Sequence, residues 1–158
     1  MPATALLEKK ENKMIAEQLS VLLSDTYLLY VKTQNFHWNV CDPRFLSLHE
    51  FFEEQYQELA EAADTIAERI RAIGSKSPGT MQQFLSLTRL DEAKGNPKGD
   101  EMLKELLKDH ESISQWLRTE VDLTAQAGDQ GSSDLCVQRL RAHEKTSWMI
   151  RSHLGGAP

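Results

Sequence analysis

Core-type residues recur along this chain with spacings of three and four, the period of an amphipathic helix. A first stripe predicts a helix over residues 12–38, with Ile15, Leu19, Leu22, Thr26, Leu29 and Thr33 facing the core. A second helix is predicted to start at Asp42-Pro43, where an N-cap type residue precedes proline, and to stop at Gly74. Its core positions are Phe45, Leu48, Phe52, Leu59, Ala63, Ile66, Ile70 and Ile73.

Two further helices are predicted in the second half of the chain, over residues 100–126 and 132–154. The inward positions of the first of these are Leu103, Leu106, His110, Ile113, Leu117 and Val121. Residues 75–99 are rich in glycine and proline and predict a connection, with one or two helical turns at Met81 to Leu87. A long middle connection is typical of a bundle in which two helices run the same way. The pattern predicts an all-α four-helix bundle with a short helix or loop in that connection.

The length and composition indicate a single domain. The chain has 158 residues, of which 40% are hydrophobic and 27% charged, enough for one substantial core. We expect one domain over residues 1–158, with a flexible tail over 1–11. No apolar run is long enough to cross a membrane, and the start of the chain is too polar for a secretory signal, so we expect a cytoplasmic protein. Cys41 and Cys136 match no disulfide framework and are interpreted as reduced thiols.

The charge distribution bears on DNA as a partner. The net charge of -6 argues against a broad, uniform attraction to nucleic acid. The candidate basic arm is Lys9, Lys10 and Lys13, and Glu8 and Glu11 interrupt it. A solvated helix start explains this segment better, so we expect DNA binding to be weak or absent.

Five ionisable residues on the first two helices form the most informative motif: His37, His49, Glu53, Asp64 and Glu68. The spacing of four in His49/Glu53 and in Asp64/Glu68 places the members of each pair on one helical face. Imidazole together with carboxylate suits iron or zinc. The motif therefore predicts a metal site.

Helix geometry shows that one chain cannot complete this site. His49 and Asp64 are fifteen residues apart, or about 22 Å along a helix, too far for one ion to bridge. If a second copy packs antiparallel about a two-fold axis near Leu59, His49 and Glu53 come opposite the Asp64 and Glu68 positions of that copy. Two equivalent shared sites then follow.

One feature of the second helix supports a metal site shared between two copies, and another argues against it. Ala60 and Ala67 lie between the ligands on the same face, and their small side chains would let two helices approach closely. Carboxylates four residues apart on a charged helix are, however, also typical of a solvated surface. His110 and His143 lie in core stripes and are interpreted as structural rather than as metal ligands.

The segment Asn35 to Arg69, NFHWNVCDPRFLSLHEFFEEQYQELAEAADTIAER, resembles the Dps family of miniferritins, the dodecameric iron-storage and DNA-protecting proteins of bacteria. The specific pattern is His-Trp-Asn, a second histidine twelve residues after the first, an acid four residues on, and Asp and Glu four apart before Arg. Asp25 to Lys32 is similar to the family's first helix, and His143 to Leu154 to the last helix of many members. The resemblance thus covers nearly the whole chain.

The resemblance implies a ferritin-like fold and a function. His37, His49 and Glu53 match the ligands that one subunit gives to the family's ferroxidase centre, and Asp64 and Glu68 match those of its two-fold mate. The implied activity is oxidation of Fe(II), preferably by hydrogen peroxide, with the mineral stored in a hollow dodecamer built from two-fold dimers. This would protect DNA from oxidative damage, and no haem is expected. Ordinary ferritins differ because they use Glu-x-x-His motifs within one bundle, which this sequence lacks.

Further roles carried by the resemblance leave alternatives open. Trp38 could donate an electron to a reactive intermediate, or could simply be an aromatic packed at the interface. Asp122, Asp129 and Asp134 could line an iron-entry pore, although acidic residues near helix ends also serve as caps. The turn departs from the family pattern, with Cys41-Asp42-Pro43 where a glycine commonly stands.

Two other functional classes compete with the ferroxidase and storage shell. One is a nucleoid-associated DNA-binding protein with little ferroxidase activity. The other is a helical bundle that serves only as an assembly module. The sequence favours the ferroxidase because metal-type residues and the spacing for a shared site occur together.

Overall fold

The computed structural model describes the backbone of residues 3–156 and the side chains of residues 8–156. Over this range the chain forms five helices and no strand. They are α1 (Ala3–Asn39), α2 (Phe45–Ala72), α3 (Met81–Leu87), α4 (Gly99–Gln126) and α5 (Gln130–His153). The predicted all-α bundle is confirmed, and α3 is the short helix expected in the middle connection. No helix of this range is long and apolar enough to span a bilayer.

Contacts between α2 and α5 establish the helix directions. Arg69, near the end of α2, donates to the Ser132 hydroxyl at the start of α5 at 3.1 Å. Arg44, just before α2, donates to the carbonyl oxygen of His153 at the end of α5 at 3.3 Å. These two helices are therefore antiparallel. Since α4 and α5 form a tight hairpin, α2 and α4 run the same way, and the long middle connection is the crossover that this topology requires.

The predicted stripes form the core between the helices. Leu22 and Leu29 of α1 and Phe52, Ile66 and Ile70 of α2 have no exposed surface, and burial of such side chains is the main favourable term in folding. The hydroxyls of the two buried threonines in the first stripe form hydrogen bonds within α1. The Thr26 and Thr33 hydroxyls each donate to the carbonyl four residues earlier at 2.7 Å.

A fully buried carboxylate, Asp25 of α1, fixes the end of α3 to the bundle. It accepts hydrogen bonds from the Thr88 hydroxyl at 2.8 Å and from the Arg89 backbone at 2.7 Å. The Arg89 guanidinium adds two more, at 2.9 and 2.6 Å, and lies 4.6 Å over the Trp116 ring of α4. The crossover is thereby anchored to two helices.

A second buried charge links α1 to α4. The Lys32 ammonium lies 2.7 Å from Asp109 and 3.2 Å from Glu105, and 3% of the lysine surface is exposed. Burial raises the pKa of Asp109, and the hydrogen bond from Lys32 opposes that rise. Such a pair holds two helices in one register, because separating its members would leave an uncompensated buried charge.

The start of α2 differs from the sequence prediction. The helix begins at Phe45 rather than at Asp42-Pro43, because residues 42–44 form a separate turn before it. In this turn the Asp42 carboxylate accepts from the Arg44 backbone N–H at 2.8 Å and from its guanidinium at 2.9 Å. These hydrogen bonds lower the pKa of Asp42 to about 2. Phe45, predicted as a core position, is 45% exposed. At the N-terminus of the chain, α1 begins at Ala3 and therefore includes residues 3–11, which the sequence predicts to precede the helix. The flexibility of the tail over 1–11 stays a prediction.

Candidate metal centre

The turn between α1 and α2 brings two of the predicted ligands into contact. His37 lies in the last turn of α1, and His49 lies early in α2. Their rings stack with centroids 3.9 Å apart and planes at 13°. Each Nδ1 lies 2.7 Å from the backbone oxygen of the other histidine. The two side chains therefore hold each other through a reciprocal pair of hydrogen bonds.

These reciprocal bonds place a proton on the Nδ1 atom of both rings. A carbonyl oxygen can only accept, so each Nδ1 must carry the proton and donate it. In a neutral imidazole the Nε2 atom then carries the lone pair. Metal-binding histidines commonly donate their other ring N–H to such a backbone acceptor, which fixes their tautomer and orientation. This arrangement is compatible with His37 and His49 as metal ligands through Nε2, and that role stays a prediction.

Aromatic residues frame the histidine pair. Phe45 stacks on His49 with ring centroids 5.0 Å apart and planes at 20°. Tyr56 of α2 packs edge-on against His37 at 5.2 Å. His37 is 7% exposed, and His49 is half-buried. The pair consequently has little freedom to turn away.

The predicted carboxylates lie further along α2. Glu53 is one helical turn after His49 and is half-buried, whereas Asp64 and Glu68 are exposed. Residues 8–156 contain no group of three His, Cys, Asp or Glu side chains close enough to hold one metal ion. A single chain brings the two histidines together, and the completion of a metal site by Asp64 and Glu68 of a second copy stays a prediction.

The three candidate pore residues occupy different environments near the hairpin of α4 and α5. Asp129 caps α5 by accepting from the Ser132 backbone at 2.9 Å, and it pairs with the Arg69 guanidinium at 2.5 Å. Its pKa is lowered because hydrogen bonds from Ser132 and the charge of Arg69 outweigh the effect of burial. Asp122 and Asp134 are exposed. Asp129 therefore serves as a helix cap, and a pore lined by these three residues stays a prediction.

Trp38 and the cysteines occupy contrasting positions. Trp38 follows His37 directly and is 65% exposed, so its packing at an interface or its redox role stays a prediction. Cys41 is an exposed free thiol at the turn, and Cys136 is a buried free thiol. Burial raises the pKa of Cys136 to about 12, which keeps it protonated and unreactive.

The structural interpretation of His110 and His143 agrees with their environment. Both are buried, and their Nδ1 atoms lie 2.8 Å apart between α4 and α5. Burial lowers both pKa values, that of His110 to about 3, and the nearby Arg139 charge contributes. The two imidazoles are therefore neutral, with one donating to the other.

Sequence reasoning missed one residue of the site, Tyr56. The signal was available, because Tyr56 stands seven residues after His49, two helical turns further on the same face. Its contact with His37, however, depends on how α1 packs on α2, and the sequence of α2 alone does not give this.

Comparison with known proteins places this bundle in a class. A family model described as a ferritin-like domain matches residues 16–157. An uncharacterized low temperature-induced protein of Nostoc sp. is 39% identical, over 96% of this chain and 86% of that protein. "DNA protection during starvation protein 2" of Bacillus anthracis is 37% identical, over 90% of this chain and 98% of that protein.

Solved structures of Dps proteins share the fold of this chain. The Dps protein of Vibrio cholerae, described as a member of a broad superfamily of ferritin-like diiron-carboxylate proteins, superimposes with a TM-score of 0.89. It is 27% identical, and the match covers 92% of each chain. The present chain belongs to the Dps family of ferritin-like proteins.

Proposed function

We propose that this protein oxidises Fe(II) at centres shared between two subunits and stores the ferric product inside a hollow shell of its own copies, protecting DNA from oxidative damage. The observation that carries this proposal is the reciprocal bonding of His37 and His49. It prepares two imidazole Nε2 atoms for a cation on a chain that belongs to the Dps family.

The chemistry of the donor set fits iron as the substrate. Neutral imidazole tolerates Fe(II), and anionic carboxylate oxygen stabilises Fe(III). His37 and His49 supply the imidazoles, and Glu53 supplies a carboxylate from the same subunit. Mixed ligation of this kind accommodates both oxidation states, which a site that oxidises iron requires.

The second half of each centre comes, in this proposal, from a two-fold mate. Asp64 and Glu68 are exposed on the α2 surface, and a copy packed antiparallel would bring them to the histidine pair. Ala60 is exposed and Ala67 half-buried on the face between the ligands, so these two positions leave room for a close approach. A dodecamer built from such dimers would enclose the storage cavity.

Hydrogen peroxide is the oxidant that we propose. Two Fe(II) ions each give one electron to one peroxide molecule, whose O–O bond breaks, and with two protons the products are two Fe(III) ions and two water molecules. No hydroxyl radical is released in this stoichiometry. Hydrolysis of Fe(III) then gives the ferric oxyhydroxide to be stored.

An anaerobic Fe(II) titration followed by peroxide tests the proposal. The assembled protein should form Fe(III) rapidly, and a His37→Ala, His49→Ala double variant should lose this rate. Glu50 and Glu54 form a matched control, because they are exposed carboxylates four residues apart on the same helix. The Glu50→Ala, Glu54→Ala variant should keep the rate. An undiminished rate in the histidine variant would contradict the proposal.

A further inference from the structure

All three tyrosines of the chain lie in one aromatic row that ends at the candidate metal centre. The ring of Tyr56 is 5.2 Å from that of His37, and Tyr30 is 6.0 Å from Tyr56. Tyr27 continues the row at 5.6 Å from Tyr30 and stacks on Phe84 at 4.4 Å. The row therefore runs from α2 across α1 to the middle connection.

The phenol hydroxyls of this row contribute little to the fold. Aromatic pairs at these distances stabilise a protein through their rings, for which phenylalanine would suffice. Among residues 8–156, the one hydrogen bond made by a tyrosine hydroxyl is a long contact of 3.4 Å from the Gln34 amide to Tyr30. The three tyrosines are half-buried rather than sealed in the core. Three oxidisable phenols in ring contact with one another thus adjoin a candidate ligand.

We propose that Tyr56 supplies an electron to the iron centre when a single Fe(II) is bound, and that Tyr30 and Tyr27 share the resulting oxidising equivalent. This inference rests on the proposed function. Electron transfer weakens steeply with distance, and each step of the row joins neighbouring rings. Tyr56 is the entry point because it is the tyrosine that contacts His37.

The step balances with the proposed substrates alone. One Fe(II) and the Tyr56 phenol each give one electron to hydrogen peroxide, whose O–O bond breaks. The phenol proton, one proton from solution and the two peroxide hydrogens leave as two water molecules, so the products are Fe(III), a phenoxyl radical and water. A later Fe(II) and one proton reduce the phenoxyl back to phenol.

The second electron matters because a lone Fe(II) reduces peroxide by only one electron, which releases a hydroxyl radical. A tyrosine beside the centre completes the reduction to water within the protein. The row thereby extends protection to the first iron ions that reach an otherwise empty shell. The row also shares the oxidising equivalent among the rings of Tyr56, Tyr30 and Tyr27, so that it does not stay next to the candidate metal ligands.

Freeze-quench electron paramagnetic resonance of the assembled protein tests this inference. The protein is loaded anaerobically with one Fe(II) per centre and mixed with peroxide, and Fe(III) is followed optically in the same samples. We expect a phenoxyl signal that changes shape when ring-deuterated tyrosine is incorporated. Tyr56→Phe, which keeps the ring, should lose that signal and should release more hydroxyl radical to a spin trap.

Variants of the neighbouring aromatics complete the experiment. Tyr30→Phe and Tyr27→Phe should keep a phenoxyl signal, now confined to the remaining part of the row. Trp38→Phe should also keep it. Fe(III) formation without a phenoxyl signal, an unchanged signal in Tyr56→Phe, or loss of the signal in Trp38→Phe would each overturn the inference alone. The absence of Fe(III) would overturn the proposed function and this inference with it.

Discussion

The histidine pair shows how far single residues could be predicted. The sequence identifies His37 and His49 as candidate ligands from their spacing and their resemblance to a known pattern. It does not give the tautomer, which depends on the two backbone carbonyls that the turn brings within 2.7 Å of the rings. Tyr56 was not predicted either, because its contact with His37 forms between two helices and depends on how they pack.

The two functions of the His49 ring can be separated by substitution. His49→Asn keeps an N–H group near the His37 carbonyl but lacks Nε2, whereas His49→Ala lacks both. We expect both variants to lose iron oxidation. His49→Ala should also lose about 1 kcal/mol of unfolding free energy, the value of one hydrogen bond, and His49→Asn should lose less. Urea unfolding beside the iron assay would make the comparison, and equal stability of the two variants would contradict the role of Nδ1.

The buried pair His110 and His143 predicts a dependence of stability on pH. Both rings are neutral in the folded protein, and the pKa of His110 falls from 6.5 to about 3. Below about pH 6.5 the unfolded chain takes up protons that the folded chain does not. The stability contributed by the neutral pair is therefore complete above that pH and declines as pH falls toward 3, by roughly 1.4 kcal/mol per pH unit for each histidine.

Urea unfolding between pH 7 and pH 5 measures this effect, since carboxylates with ordinary pKa values titrate below that range. A His110→Gln, His143→Gln double variant should show a smaller pH slope than the natural protein. Equal slopes in the two proteins would show that these histidines do not control the pH dependence.

At the level of elements, sequence periodicity predicted the four long helices, but it placed the start of α1 at residue 12 rather than at Ala3 and gave the wrong start for α2. The ends of α4 and α5 lie within two residues of their predicted positions, because their core stripes end at glycine-containing segments. The Asp42-Pro43 signal gave the wrong start because Asp42 accepts from the Arg44 backbone N–H in a separate turn that precedes the helix. A capping pattern does not distinguish such a turn from the first turn of a helix.

The crossover offers a prediction at this scale. Asp25→Ala removes the acceptor of four hydrogen bonds from Thr88 and Arg89 and leaves the guanidinium without its carboxylate. We expect a loss of about 2–4 kcal/mol in unfolding free energy and faster trypsin cleavage at Lys94 and Lys98. Proteolysis rates and urea midpoints measure the two effects.

The Arg118–Glu144 pair is the control for this prediction. It also joins two helices, at 2.6 Å, but its side chains are 67% and 44% exposed. Arg118→Gln should therefore change the unfolding free energy by less than about 1 kcal/mol and should leave cleavage of the crossover unchanged. A similar loss in both variants would show that the burial of Asp25 has no special importance.

At the level of the whole molecule, net charge sets the expectation for DNA. Lys9, Lys10 and Lys13 are exposed at the start of α1, but Glu8 and Glu11 are exposed beside them. We expect weak binding of the iron-free protein in a gel-shift titration across salt concentrations. A tight shift that weakens steeply with salt would indicate phosphate contacts and would contradict this prediction.

The division of the centre between two subunits is the central claim, and mixed assembly tests it most directly. Shells are reassembled from equal amounts of a His37→Ala, His49→Ala subunit and an Asp64→Ala, Glu68→Ala subunit, each inactive alone. Every mixed dimer then contains one intact centre and one that lacks both halves, so random pairing restores about one quarter of the natural rate of iron oxidation. Mixed shells as inactive as either parent would contradict the account.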